Sequence, residues 1–308
     1  MVLTPSASPT GLGGKRRSIA VSFMLFEPAG RGLSMPYRNA PYYVLAVMLV
    51  IAVGFWPSYF ATWGSVPWQF HAHGVAASIW VTMVLAQSWT VHKEQLPLHR
   101  AVGKSSLILF PFLIGGLTAI IDVTGKTLVA SPEPVRTMFG SSFLLGLVLA
   151  IAAYVVLFYR ALKHRRKVWL HSGYMLATPL ILFESPFSRI LNMGFPGLAI
   201  RGPDDLHLIM PAILWAMALE LAFVALIWWK YREKSKPFLI AGGFIAAQFM
   251  AMGLLAGSPL LLPLLLAIGN LPSAAIVLTG FAIGAATSWA GWQAGKRPVA
   301  TAGVTAAA

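Results

Sequence analysis

The chemistry open to this sequence rests on seven histidines and nine carboxylic acids, because it contains no cysteine. Disulfides, thiolate metal sites and iron–sulfur clusters are thereby excluded. The most suggestive stretch is QFHAHGVAASIW, residues 69 to 80, with His71 and His73 at the mouth of an apolar run. Two residues apart on a helix, their side chains point about 200° apart. At most one then serves as a ligand from within the helix, and it is the deeper, His73. His71 suits the water interface, and the same bland reading is open for His73. A partner across the site is His207, with Asp204 or Asp205 beside it.

A second pair, His99 and His171, opens two other apolar runs. Imidazoles from different helices that meet at one point are what bis-His ligation of a b-type haem requires. The alternative is that both are polar flanks of membrane helices, like Arg100 and Lys167 beside them. His92 and His164 fall in basic loops and are expected to be solvated.

Ionisable groups inside apolar runs are costly and point to function. Asp122, Glu184, Arg189 and Glu220 are of this kind. The run FESPFSRI places Glu184 and Arg189 on either side of Pro186, which removes one amide donor and kinks a helix. Arg189 needs a counter-charge, which Glu184, Asp122 or the Asp204 and Asp205 pair can supply, either as a structural ion pair or as a substrate or proton site. Glu220, in LWAMALELAFV, has no charged neighbour in sequence; Gln87 or Gln248 is its expected hydrogen-bond partner.

The elements that position these groups follow from composition. Of 308 residues, 57% are hydrophobic and 10% charged, against about 25% charged in a soluble domain. An all-α integral membrane protein is expected. Runs of about 20 apolar residues, the length that crosses a bilayer, occur eight times: roughly 41 to 62, 70 to 91, 104 to 124, 138 to 160, 169 to 190, 207 to 229, 237 to 257 and 271 to 293. The segment from Ser258 to Gly269 is too short to span and contains Pro259 and Pro263; it is expected to lie against the bundle or re-enter it.

Net charge is +14, and its distribution along the chain excludes nucleic acid as the reason. Alternate loops collect nearly all Lys and Arg, while the opposite loops hold only Lys126, Arg136 and Arg201. Short cytoplasmic loops accumulate positive charge, so both termini are expected in the cytoplasm, with anionic lipid as the partner of the basic loops. Residues 1 to 38, rich in Ser, Pro, Gly and Arg, read as a disordered cytoplasmic tail, with Met35 as the natural start. Residues 39 to 297 read as one transmembrane domain and 298 to 308 as a second disordered tail. No GxxxxGK[ST] or HExxH motif is present, and no Ser nucleophile has a credible base.

LHRAVGKSSLILFPF, from Leu98, parallels LHSGYMLATPLILFESPF, from Leu170, with one residue inserted before the shared LILF. Spans two and three thus read as a helix hairpin repeated in parallel as spans four and five; two Leu-rich helices can also match to this extent by chance. The pattern carried by His71, His73, Gly74, Gln87, Leu98, His99, Arg100 and Gly103 resembles a group of uncharacterised bacterial integral-membrane proteins. In them a His-x-His-Gly opens one span, a Gln lies near its far end, and Leu-His-Arg-x-x-Gly opens the next. The resemblance covers roughly residues 41 to 190 and implies a bacterial inner-membrane protein without an agreed activity. The segment from Arg165 to Leu176 resembles that group's second basic patch, with Ser172 and Gly173 where basic residues are expected. The layout of histidines at the ends of neighbouring helices is also loosely similar to cytochrome b561-type electron carriers. Three functions are therefore expected as alternatives: a haem electron carrier using His99 with His171 and His73 with His207; a transporter or small-molecule binder using Asp122, Glu184, Arg189 and Glu220; or an accessory subunit of a larger complex.

Overall fold

The computed structural model describes residues 36–296. Met35, most of the expected N-terminal tail and the expected C-terminal tail lie outside the described residues. Within them the chain is helical with no strand. The α-helices are α1 (Ala40–Gly54), α2 (Trp68–His92), α3 (Leu96–Ala130), α4 (Pro134–Lys163), α5 (Val168–Ala177), α6 (Glu184–Gly194), α7 (Ile209–Tyr231), α8 (Lys236–Leu254), α9 (Leu262–Gly269) and α10 (Ser273–Ala294).

Five helical stretches are long and apolar enough to cross a membrane: α2, α3, α4, the joined pair from Pro203 to Leu254 that contains α7 and α8, and α10. α1 is apolar but shorter. Large apolar side chains face outwards all round, among them Leu254, Ile108, Trp289 and Trp215, each at least 66% exposed. Such a surface suits hydrocarbon rather than water.

α3 is the central element, packed on α2, α4, α9 and α10. Small residues make those contacts close. A Cβ on Gly284 of α10 would lie 2.6 Å from the Pro111 Cα of α3. A Cβ on Gly269 of α9 would collide with the Gly125 carbonyl oxygen of α3. Backbones this near are a common way for membrane helices to associate, since apolar side chains gain nothing by leaving lipid. The 258–269 segment thus carries the eight-residue α9, laid against α3 and α4.

The interior is aromatic. Trp80, Phe110, Tyr154 and Phe158 are fully buried; Phe110 and Phe158 stack with centroids 4.2 Å apart, and Trp80 meets Phe158 edge-on at 5.3 Å. Such pairs contribute roughly 0.5–1.5 kcal/mol each beyond burial.

The span expected at 169 to 190 is not one helix. α5 stops at Ala177, a 3-10 turn runs through Pro179–Leu182, and α6 begins at Glu184. Pro179 and Pro186 each lack an amide donor. Thr178 turns its hydroxyl back on the Met175 carbonyl, 2.8 Å away. The break falls where the second LILF segment carries its extra residue.

Candidate functional site

The broken α5–α6 segment brings ionisable groups together. Glu184 opens α6, and the hydroxyl of Ser188, one turn on, donates to its carboxyl at 3.3 Å. Glu220, in the middle of α7 and only 2% exposed, lies beside the start of α6, in the field of the Glu184 carboxyl. One Glu220 oxygen is buried without a hydrogen-bond partner. Arg189 interacts with Glu184 electrostatically. It also donates to the Ser185 carbonyl and hydroxyl, both at 2.7 Å, and lays its guanidinium over the Phe55 ring at 4.8 Å.

α1 holds this constellation in place. A Cβ on Gly54 would collide with the Pro186 carbonyl oxygen, so only glycine lets α1 close on the start of α6. The three groups run from a buried acid, through a half-buried one, to an exposed arginine. Two carboxyls held together in apolar surroundings repel strongly when both are charged, and a proton or cation relieves that repulsion.

Asp122 does not join them. It is fully buried on α3, accepts from Gln69 Nε2 at 3.0 Å and pairs with Lys126 at 3.6 Å. Lys126 Nζ also donates to the carbonyls of Gly269 and Leu271, tying α3 to the end of α9. The glutamines expected to serve Glu220 are elsewhere. Gln248 donates to the Gly146 carbonyl of α4, and Gln87 packs over Gly103 of α3. Asp205 accepts from the Arg201 backbone amide rather than from Arg189.

His99 and His171 lie within electrostatic reach of each other. His171 donates through Nδ1 to the Ala161 carbonyl at 2.9 Å, which leaves Nε2 with its lone pair free. His99 turns one edge to the Gln87 backbone and has its Nδ1 buried without a partner. His92 resembles them, with Nδ1 on the Ser88 carbonyl at 2.6 Å and Nε2 buried without a partner. A backbone carbonyl behind each ring is the usual support of a ligating imidazole.

His71, His73 and His207 lie apart from that pair. His71 hydrogen-bonds Tyr59 at 3.2 Å and packs on Trp63. His73 sits where α2 crosses Gly116 of α3, its Nδ1 buried without a partner. His207 is exposed on the turn before α7, donating to the Asp204 carbonyl at 2.8 Å. His164 stacks on Tyr174 in the loop after α4. Among the described residues no three His, Asp or Glu side chains are grouped so as to hold a metal ion.

Several partners were not evident from sequence. Gln69 precedes His73 by one helical turn, a spacing that places both on the α3-facing side, yet nothing in the sequence indicates Asp122 as its acceptor. Thr178, which ties α2 and α4 to the break, carries no signal beyond the inserted residue. The chain matches no protein-family model, and neither a curated protein nor a solved structure matches it.

Proposed function

We propose that this chain is a multi-pass protein of the bacterial inner membrane that binds and moves a small solute or proton at the Glu184–Glu220 pair. The eight-span count treats α5, the 3-10 turn and α6 as one broken span and leaves α9 as a non-spanning segment. On that count the basic loops share one side with both termini, the cytoplasmic one. Broken helices whose freed backbone lines an interior site are how many membrane transporters are built. The observation that carries the reading is the Glu220 carboxyl buried within electrostatic reach of Glu184, with one oxygen unpartnered. Arg189 supplies the charge at the exposed end.

The test is thermal stability of the purified protein across a panel of small ions and metabolites. A ligand that raises the melting temperature of the wild type, and of neither Glu220→Gln nor Arg189→Ala, supports the proposal. Equal stabilisation of both variants, or no response of the wild type across the panel, counts against it.

The His99–His171 pair favours a second reading, a bis-His b-haem electron carrier. Both imidazoles are backed by backbone carbonyls, and each has a ring nitrogen without a hydrogen-bond partner, so the donor chemistry fits axial ligation. Bound there, haem would supply one-electron chemistry, while these residues hold and orient it. A Soret band in protein from a haem-replete host, lost in His99→Ala and in His171→Ala, supports this reading; a haem-free spectrum eliminates it. The matched positions of His99 and His171 also support a repeated hairpin. The pair His73 with His207 has weaker support, since one is at the α2–α3 crossing and the other exposed.

A further inference from the structure

A crevice that opens beside Tyr37, at the start of α1, carries a separate inference. It runs between α1, α5, α7 and α8 as a narrow groove open along one side, with a cavity volume of about 60 Å³. Its long walls are helical stripes: Ala40, Tyr43, Val44 and Val47 on α1, and Phe223, Ile227 and Tyr231 on α7. Spacings of three and four residues keep each set on one face, for a length of roughly 10–12 Å at 1.5 Å per residue. Tyr43, 44% exposed, marks the open edge.

The crevice is polar at one end only. Tyr37, Asn39 and Tyr231 form its mouth, while Val47, Pro179 and Leu180 lie at its apolar depth. The mouth is a fixed piece of backbone. Tyr37 (φ 51°) and Arg232 (φ 48°) both occupy the left-handed region that non-glycine residues avoid, and the Tyr37 hydroxyl donates to the Lys234 carbonyl at 2.9 Å. Cations surround it. Arg38, Lys230, Arg232, Lys234 and Lys236 are exposed, with Glu233 as the one acid on that turn. Lys230 and Lys234 are steadied over the rings of Tyr231 and Trp169.

An apolar slot of chain-like proportions, polar at one end and surrounded there by positive charge, matches an anionic amphiphile in shape and charge. We propose that the crevice holds one acyl chain of an anionic phospholipid of the surrounding bilayer, its headgroup at Arg38, Lys230 and Lys234. This goes beyond general attraction of basic loops to anionic lipid, because it predicts a discrete stoichiometric site.

Native mass spectrometry of the delipidated full chain, with phosphatidylglycerol or phosphatidylcholine of identical acyl chains, tests it. The expected result is one phosphatidylglycerol retained with at least tenfold preference over phosphatidylcholine. Val47→Trp, which fills the slot, should reduce that retention at least tenfold. Arg38→Glu combined with Lys234→Glu should abolish the preference while leaving the slot open. Circular dichroism identifies a variant that fails to fold; should Val47→Trp fail, the exposed double substitution decides alone. Equal retention of the two lipids by the wild type, or unchanged preference in a folded variant, overturns the proposal.

Discussion

The indole N–H of Trp80 on α2 donates to the hydroxyl of Thr178 at 2.9 Å, and the Tyr154 hydroxyl of α4 donates to the carbonyl of the same threonine at 2.8 Å. One residue at the break between α5 and the 3-10 turn therefore satisfies two fully buried aromatic donors. Thr178→Val keeps the volume and removes the acceptor for Trp80. An unpaired buried donor costs about 1–3 kcal/mol, so the melting temperature in detergent should fall, whereas Thr178→Ser should hold it near wild type. Equal melting of the Val and wild-type proteins would show that the bond is immaterial.

Lys126 is the counter-charge of Asp122, which is fully buried. Lys126→Met strands that carboxylate and should destabilise by roughly 3–5 kcal/mol. Combining it with Asp122→Asn should restore most of the loss, because Gln69 can still pair with the amide. A chemical-denaturation cycle over the four proteins measures the coupling; additive effects would contradict the pairing.

Gly54 faces the Pro186 carbonyl with no space for a methyl group. Gly54→Ala should force α1 away from α6, at about 1–3 kcal/mol, and weaken any ligand response that depends on Glu184. Gly194 also lies on α6, with nothing within 4 Å of a built Cβ. Gly194→Ala is the control, expected to melt at or above wild type.

His164 lies in the loop after α4. Burial, and then the charges of Lys163, Lys167, Arg160 and Lys236, hold its imidazole below the ordinary value of 6.5. The unfolded chain therefore takes up a proton there more readily than the native one. Stability is complete above about pH 6.5 and is lost as the pH falls through that value towards the lower native one. The ring is partly exposed, so the effect is small. His164→Gln should narrow the difference in melting temperature between pH 8 and pH 5 by roughly 1–2 °C. A difference as wide as that of the wild type would refute the assignment.

The helical class and most helix positions were legible as length and hydropathy. α2, α4, α7, α8 and α10 lie within a few residues of the apolar runs. The kink in the 169 to 190 run was legible at Pro186, but the point where α5 stops was not. Hydropathy averages over a window and does not register that Pro179 lacks an amide donor or that Thr178 turns its hydroxyl onto the Met175 carbonyl. Candidate residues were also legible, because an ionisable group in an apolar run is conspicuous. Their partners were not. Glu220 lies in the field of a carboxyl 36 positions earlier, and Asp122 pairs with Gln69, 53 positions away.

By itself the sequence determined that this chain is built of apolar helices with its charge gathered in alternate loops, since hydropathy and charge belong to each residue wherever it lies. It also singled out the few groups capable of chemistry. Only the tertiary structure decided how they are grouped: Glu184 with Glu220 and Arg189, His99 near His171, Asp122 apart with Lys126. Side-chain direction depends on helix rotation and close glycine contacts, and those arise from packing between distant segments rather than from any local pattern.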